Sequence, residues 1–277
     1  MSSLIKVDFL RILKNKLFLV GAIIAGAFSV LFPLLYFGIS KTDKSMEMYA
    51  ATPTYQMLSV MPVGFILSLF LSIIVGQEYS FGTIRNKIII GKKRSHIYFS
   101  LFLTTSVVYM SLIIVATALT AAVGFIFLHK FFPPNYNIGK FFMNIGFCFL
   151  SFLAMSSLIV LFSAGLNKVA LSIILIGAGS TFLGSIIPLI LAGIAPNNES
   201  VRLIFKVLLS CDYFYTTGLY LNLTTTGSTF GGEIGRFIEE LIKLDTIQII
   251  VTVLAPIGFF FLNYFLGDLA FRKKNIK

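Results

Sequence analysis

The side chains able to do chemistry are few, and they form no catalytic set. Gly91-Lys92-Lys93 looks like the end of a phosphate loop. It lacks the upstream glycine and the hydroxyl that Gly-x-x-x-x-Gly-Lys-Ser/Thr requires, so it does not bind ATP in that way. Neither His-Glu-x-x-His nor Gly-x-Ser-x-Gly occurs, which leaves membrane metalloprotease and esterase chemistry without its residues. His96 and His129 each stand at the end of an apolar run and read as interfacial residues rather than ligands. Cys148 lies inside an apolar run and Cys211 in a long polar connection, so neither a disulfide nor metal-ligand spacing is expected. No catalytic residue, no metal site and no cofactor is expected in this chain.

What remains is a charged connection, Gln77-Glu78-Tyr79-Ser80-Phe81-Gly82-Thr83-Ile84-Arg85-Asn86-Lys87-Ile88-Ile89-Ile90-Gly91-Lys92-Lys93-Arg94-Ser95-His96. An acid is followed by Gly-Thr, then by a short basic–apolar helix that Gly91 breaks, then by a basic cluster. If the helix ran on through Gly82, Glu78 and Arg85 would lie two turns apart on one face and pair there. A linker needed only for connection would be shorter. A short helix parked under a membrane suits the transfer of force from a cytoplasmic motor, and a plain topogenic anchor is the alternative reading.

The elements that must position this connection follow from composition. Of 277 residues, 57% are hydrophobic and only 12% charged, about half the charge of a soluble domain. That places the chain in the membrane class. Charge near the bilayer centre is costly, so charge-free intervals mark spans. Six such intervals are each longer than the roughly 20 residues that cross about 30 Å of hydrocarbon. They predict spans at 17–39, 56–76, 98–128, 142–164, 169–194 and 246–266, the third and fifth longer than needed and Pro188 a kink in the fifth. The first run is longer than a signal-peptide core and has no small-residue cleavage site, so it is expected to be retained.

With the N-terminus inside, segments 1–16, 77–97, 165–168 and 267–277 hold fourteen basic residues against Asp8, Glu78 and Asp268. The outer segments are balanced, so the whole net charge of +11 lies on one side. Both termini are therefore expected in the cytoplasm. Attraction to anionic membrane lipid accounts for the charge, and nucleic acid is not an expected partner. Residues 2–16 place Ser3, Lys6, Arg11 and Lys14 opposite Ile5, Phe9, Ile12 and Leu13, an amphipathic helix in the inner interface or simply a basic tail. The outer insertion 195–245 is expected to hold two amphipathic helices, Glu199–Ser210 and Glu233–Leu244, around a Thr/Gly/Ser-rich loop at 222–232. No Asp, Glu, Lys or Arg falls within a predicted span, which argues against an ion-coupled carrier and leaves the energy for transport to come from elsewhere.

On Glu78-Tyr79-Ser80-Phe81-Gly82-Thr83-Ile84-Arg85-Asn86-Lys87, with Gly91 and Arg94 beyond, the chain resembles the ABC type 2 exporter permeases, in the bacterial branch of bacitracin- and lantibiotic-export permeases. Lys93-Arg94-Ser95 stands where a Ser-Arg pair is common. The resemblance implies an all-α fold: six transmembrane helices, an N-terminal amphipathic helix, a cytoplasmic coupling helix and an outer helical insertion before the last span, all in one permease domain. It implies that Glu78, Gly82, Thr83, Arg85, Asn86 and Lys87 couple the spans to cytoplasmic ABC ATPase subunits, which would bind ATP and Mg. It also implies a second permease copy or a homologous permease, meeting through the first and fifth spans. There Gly21 with Ala25, Ala22 with Gly26 and Ser180 with Gly184 form small-x-x-x-small pairs, which suit a dimer interface or packing within one protomer equally. The implied function is export of a hydrophobic or amphipathic substrate (peptide antibiotic, toxin or lipid-like molecule) across a bacterial plasma membrane. A membrane sensor that binds a ligand in the bilayer without transport is the alternative.

Overall fold

The computed structural model describes residues 2–42, 60–128, 138–165, 207 and 246–273. Seven helices order these residues: α1 (Ser2–Lys14), α2 (Lys16–Thr42), α3 (Val60–Ser80), α4 (Thr83–Ile89), α5 (Arg94–Leu128), α6 (Ile138–Gly165) and α7 (Thr246–Lys273). Among the described residues no strand occurs. Five helices (α2, α3, α5, α6 and α7) are long and apolar enough to cross a membrane. They match the first four predicted spans and the sixth. The predicted span 169–194, with Pro188, lies outside the described residues, as do the insertion 195–245, His129 and Cys211.

α3 packs against α2, α5 and α6, α5 packs also against α1 and α2, and α7 lies on α6 and α5. The core runs through Val63, Leu67, Leu71 and Ile74 of α3 to Val108, Tyr109 and Ile113 of α5 and Phe152, Met155 and Ile159 of α6. Close approach is bought with a glycine at one crossing: a Cβ on Gly64 would collide with the Phe152 ring, and the Gly64 carbonyl accepts a hydrogen bond from the Tyr109 hydroxyl at 3.1 Å. Hydroxyl pairs join other helices, Ser72 to Ser163 at 3.0 Å and Ser156 to Ser106 at 3.1 Å, with Asn263 donating to Ser157 at 2.8 Å. Polar side chains between apolar helices find partners across the interface in this way, since lipid offers none. The outward faces stay apolar, for example Leu19, Ile23 and Leu35 of α2, Ile114 and Phe125 of α5, and Leu254, Phe261 and Phe265 of α7. In water such a surface would associate; against acyl chains it is the expected one.

The helices run beyond the predicted spans at one common end of the bundle. α3 continues through Glu78 to Ser80, α5 begins at Arg94, and α7 continues through Asp268 to Lys273. A span limit set by charge stops too early where the charge is paired, and both acids prove to be so. α5 has 35 residues, about 52 Å at 1.5 Å per residue, well beyond the hydrocarbon thickness. Its first turns supply the side chains that dock α1 and α7.

Candidate coupling site

α1 does not merely lie on a surface. Leu4, Asp8 and Ile12, four residues apart, form one stripe that is buried in the bundle, and α1 packs along α5. Asp8 is 0% exposed. Its Oδ1 accepts from Lys87 Nζ of α4 at 2.5 Å, and its Oδ2 from Ser100 Oγ of α5 at 2.6 Å. Glu78, at the end of α3, is 2% exposed. Its Oε1 meets the Arg11 guanidinium of α1 at 2.5 Å and its Oε2 meets Lys87 Nζ at 3.1 Å. Two acids and two bases thus close a neutral knot, with Lys87 shared between the carboxylates.

The pairing of Glu78 with Arg85 expected from a continuous helix does not form. α3 ends at Ser80, and Gly82 adopts φ 66°, ψ 12°, a left-handed conformation that needs no Cβ. That turn reorients α4, leaving Arg85 and Asn86 exposed and bringing Lys87 back under Glu78. Thr83 Oγ1 donates to the Glu78 carbonyl at 2.8 Å and so ties α4 to the end of α3. Gly91, at φ 85°, closes the other end of α4, its N–H donating to the Ile88 carbonyl at 2.9 Å. Ile84 anchors the inner face of α4 among Val75, Ile97, Leu101 and Phe271. Phe81 (72% exposed) precedes α4, and Ile89 (71%) and Ile90 (75%) follow exposed Arg85 and Asn86 by one turn.

The bend between α1 and α2 belongs to the same assembly. Asn15 Oδ1 caps α2 by accepting from the Leu17 N–H at 3.0 Å, and its Nδ2 donates to Gln77 Oε1 of α3 at 3.3 Å. Beside it, α5 is latched to α7. Tyr98, fully buried, stacks with Phe102, Tyr264 and Phe271 and lies directly over Gly267, where any Cβ would clash. Asp268 pairs with Arg272 at 2.5 Å one turn along its own helix, and Arg94 Nη1 donates to the Arg272 carbonyl at 2.8 Å.

A family model described as ABC-2 family transporter protein matches residues 4–192, more than half of the chain. The chain belongs to this family. The match spans α1 to α6 and therefore the whole knot. No curated protein matches the chain. As an ABC-2 family member the protein is a multi-pass transport subunit of the membrane, a class typically not itself catalytic.

Of the residues expected at the coupling site, Glu78, Gly82, Thr83 and Lys87 are brought together, whereas Arg85 and Asn86 point away from them. Asp8, Arg11 and Ser100 were not among the expected residues. The only hint in the sequence was that Asp8 is a lone acid in a basic segment. Of the small-residue pairs, Gly21 and Ala25 are taken up inside the protomer: both are buried, and a Cβ on Gly21 would come within 2.8 Å of Phe70. Ala22 and Gly26 are half-buried, with open space beside Gly26. Ser180 and Gly184 lie outside the described residues.

Proposed function

We propose that the chain is the permease subunit of an ATP-driven exporter and that α4 is the helix on which a cytoplasmic ABC ATPase acts. The observation that carries this reading is the two-sidedness of α4. It is hinged at both ends by positive-φ glycines, wired inward through Lys87 and Ile84, and presents outward a mixed apolar and basic face. Such a face suits a protein partner, because large exposed side chains beside an arginine are the usual material of interface anchors. A push on α4 would reach α1 through Asp8, α3 through Glu78, and α5 through Ser100 by way of Asp8.

The excess of Lys and Arg at this end of the bundle puts it in the cytoplasm by the positive-inside rule. ATP and Mg would bind the ATPase and not this chain. A second permease, identical or homologous, would meet the face of α2 that carries Ala22 and Gly26, with Ser180 and Gly184 as the other side of the contact. The apolar spans favour a hydrophobic or amphipathic substrate, a peptide antibiotic, toxin or lipid-like molecule, exported across a bacterial plasma membrane.

The test is reconstitution. The purified chain alone should hydrolyse no ATP, and together with its ABC ATPase in proteoliposomes it should couple hydrolysis to export. Binding of an amphipathic ligand by the chain, with no ATPase recruited and no export, would support the sensor reading instead.

A further inference from the structure

Beside the knot, a cavity of about 300 Å³ opens at the bend between α1 and α2, at the small end of ligand-sized pockets. Arg11, Lys14 and Asn15 line it from the α1 side and Ile74 and Gln77 from α3, with Phe81 and Thr83 beyond them. Its electrostatics are set by a simple balance. Glu78 also borders the cavity, but its two oxygens are taken by Arg11 and Lys87, and the second charge of the knot, Asp8, is taken by Lys87 and Ser100. The four knot charges cancel. Lys14 is exposed, borders the same cavity and makes no ion pair among the described residues. The cavity therefore carries one uncompensated positive charge. The Arg11 guanidinium has five N–H donors and gives one nitrogen, Nη2, to Glu78, which leaves donors for a second oxyanion.

We propose that this cavity is a binding site for the phosphodiester headgroup of an anionic phospholipid from the leaflet at the α4 end. A phosphodiester needs a positive charge and several N–H donors, and Lys14 and Arg11 supply them. A free inorganic phosphate would call for the same charge, but the cavity is not polar throughout. Buried Ile74 and Phe81, 72% exposed, both line it. Apolar wall and charged rim in one pocket match a headgroup with its attached chains. The cavity adjoins α1, which also exposes Val7, Leu10 and Leu13, as a helix resting against acyl chains does. A lipid seated here would brace α1 against the end of α3, next to the Arg11–Glu78 contact. The site does not depend on the coupling role proposed for α4.

The full-length chain is embedded in bilayers of equal phosphatidylglycerol and phosphatidylcholine, extracted gently, and its retained lipid counted by native mass spectrometry. Wild type should hold phosphatidylglycerol in preference to phosphatidylcholine. Lys14→Glu should lower that retention by about fivefold or more, the effect of one surface lysine on anionic lipid. Lys6→Glu, on the same helix but outside the cavity, should leave it unchanged, and ten-millimolar inorganic phosphate should not displace the lipid. Equal losses in Lys6→Glu and Lys14→Glu would reduce the effect to diffuse surface charge and overturn the site. Displacement by inorganic phosphate, or retention of the two lipids in equal amounts by wild type, would overturn the lipid assignment. Both variants replace exposed lysines, and unchanged melting temperatures confirm that each is folded.

Discussion

Two contacts fasten helices at the same end of the bundle, and they are built from opposite materials. The knot of Asp8, Arg11, Glu78 and Lys87 joins α1, α3 and α4 by charge, with Ser100 adding α5. The latch of Tyr98 over Gly267 joins α5 to α7 mainly by shape, with one hydrogen bond from Arg94 to the Arg272 carbonyl. Both use the first turns of α5, from Ser100 and Tyr98, two residues apart. The latch has a single arrangement, because a ring fills the space above a glycine. The knot has a shared member: Lys87 lies 2.5 Å from one carboxylate and 3.1 Å from the other, so a small movement of α4 changes its division between α1 and α3. Buried ion pairs are weak evidence for stability but suit a registry or switching role. The difference suits α5 and α7 to a frame and α1, α4 and the end of α3 to a registry role.

The largest expected effect is in the knot. Lys87→Met removes the partner of both acids and leaves Asp8, fully buried, with Ser100 alone. Breaking a buried pair from one side costs about 3–5 kcal/mol, so the melting temperature in detergent should fall sharply. Adding Asp8→Asn removes the stranded charge and should recover much of the loss. A double variant as unstable as Lys87→Met would show that Lys87 acts by packing and not by charge.

A smaller effect is expected in the latch. Gly267→Ala puts a Cβ into the Tyr98 side chain, an overpacking that costs roughly 1–3 kcal/mol. Among the described residues the buried Tyr98 hydroxyl has no hydrogen-bond partner, so Tyr98→Phe should cost little by itself and relieve part of the clash in the double variant. Strict additivity of the two melting-temperature changes would contradict the contact. The smallest effect on stability is that of Arg85→Ala. Its side chain is exposed, and such changes stay within about 0.5 kcal/mol. Export by the reconstituted complex should nevertheless fall, because Arg85 belongs to the outward face of α4; full export in this variant would remove it from the docking surface.

Much of the frame was legible in the sequence because hydrocarbon excludes unpaired charge. Lys16 and Lys41 bracket α2, and the interval from Arg94 to Lys130 brackets α5, each within a few residues of the helix observed. The same rule ended the second span before Glu78 and the last before Asp268. It carries no information about partners, and Arg11 and Lys87 keep Glu78 inside a helix. The break at Gly91 was legible for a local reason, since a left-handed residue closing a helix is usually glycine whatever surrounds it. The centre of the site was not. The residues that bind Asp8 are 79 and 92 positions away, and a helical projection of 2–16 shows only one acid on a basic helix. The Glu78–Arg85 pairing failed for the converse reason: helical spacing places two residues on one face only if no residue between them leaves the helix, and Gly82 does.

Site-specific photo-crosslinking in intact cells tests directly whether the outward face of α4 meets an ABC ATPase. A photoreactive side chain at Ile89, exposed on α4, should form an adduct in which mass spectrometry finds peptides of a nucleotide-binding ABC subunit. The same group at Ile23, exposed on α2 within its candidate membrane span, should not. Capture of the ATPase from position 89 and not from position 23 is the predicted result. An active, folded Ile89 variant that captures no ATPase, or captures it no better than the Ile23 variant, would contradict the account.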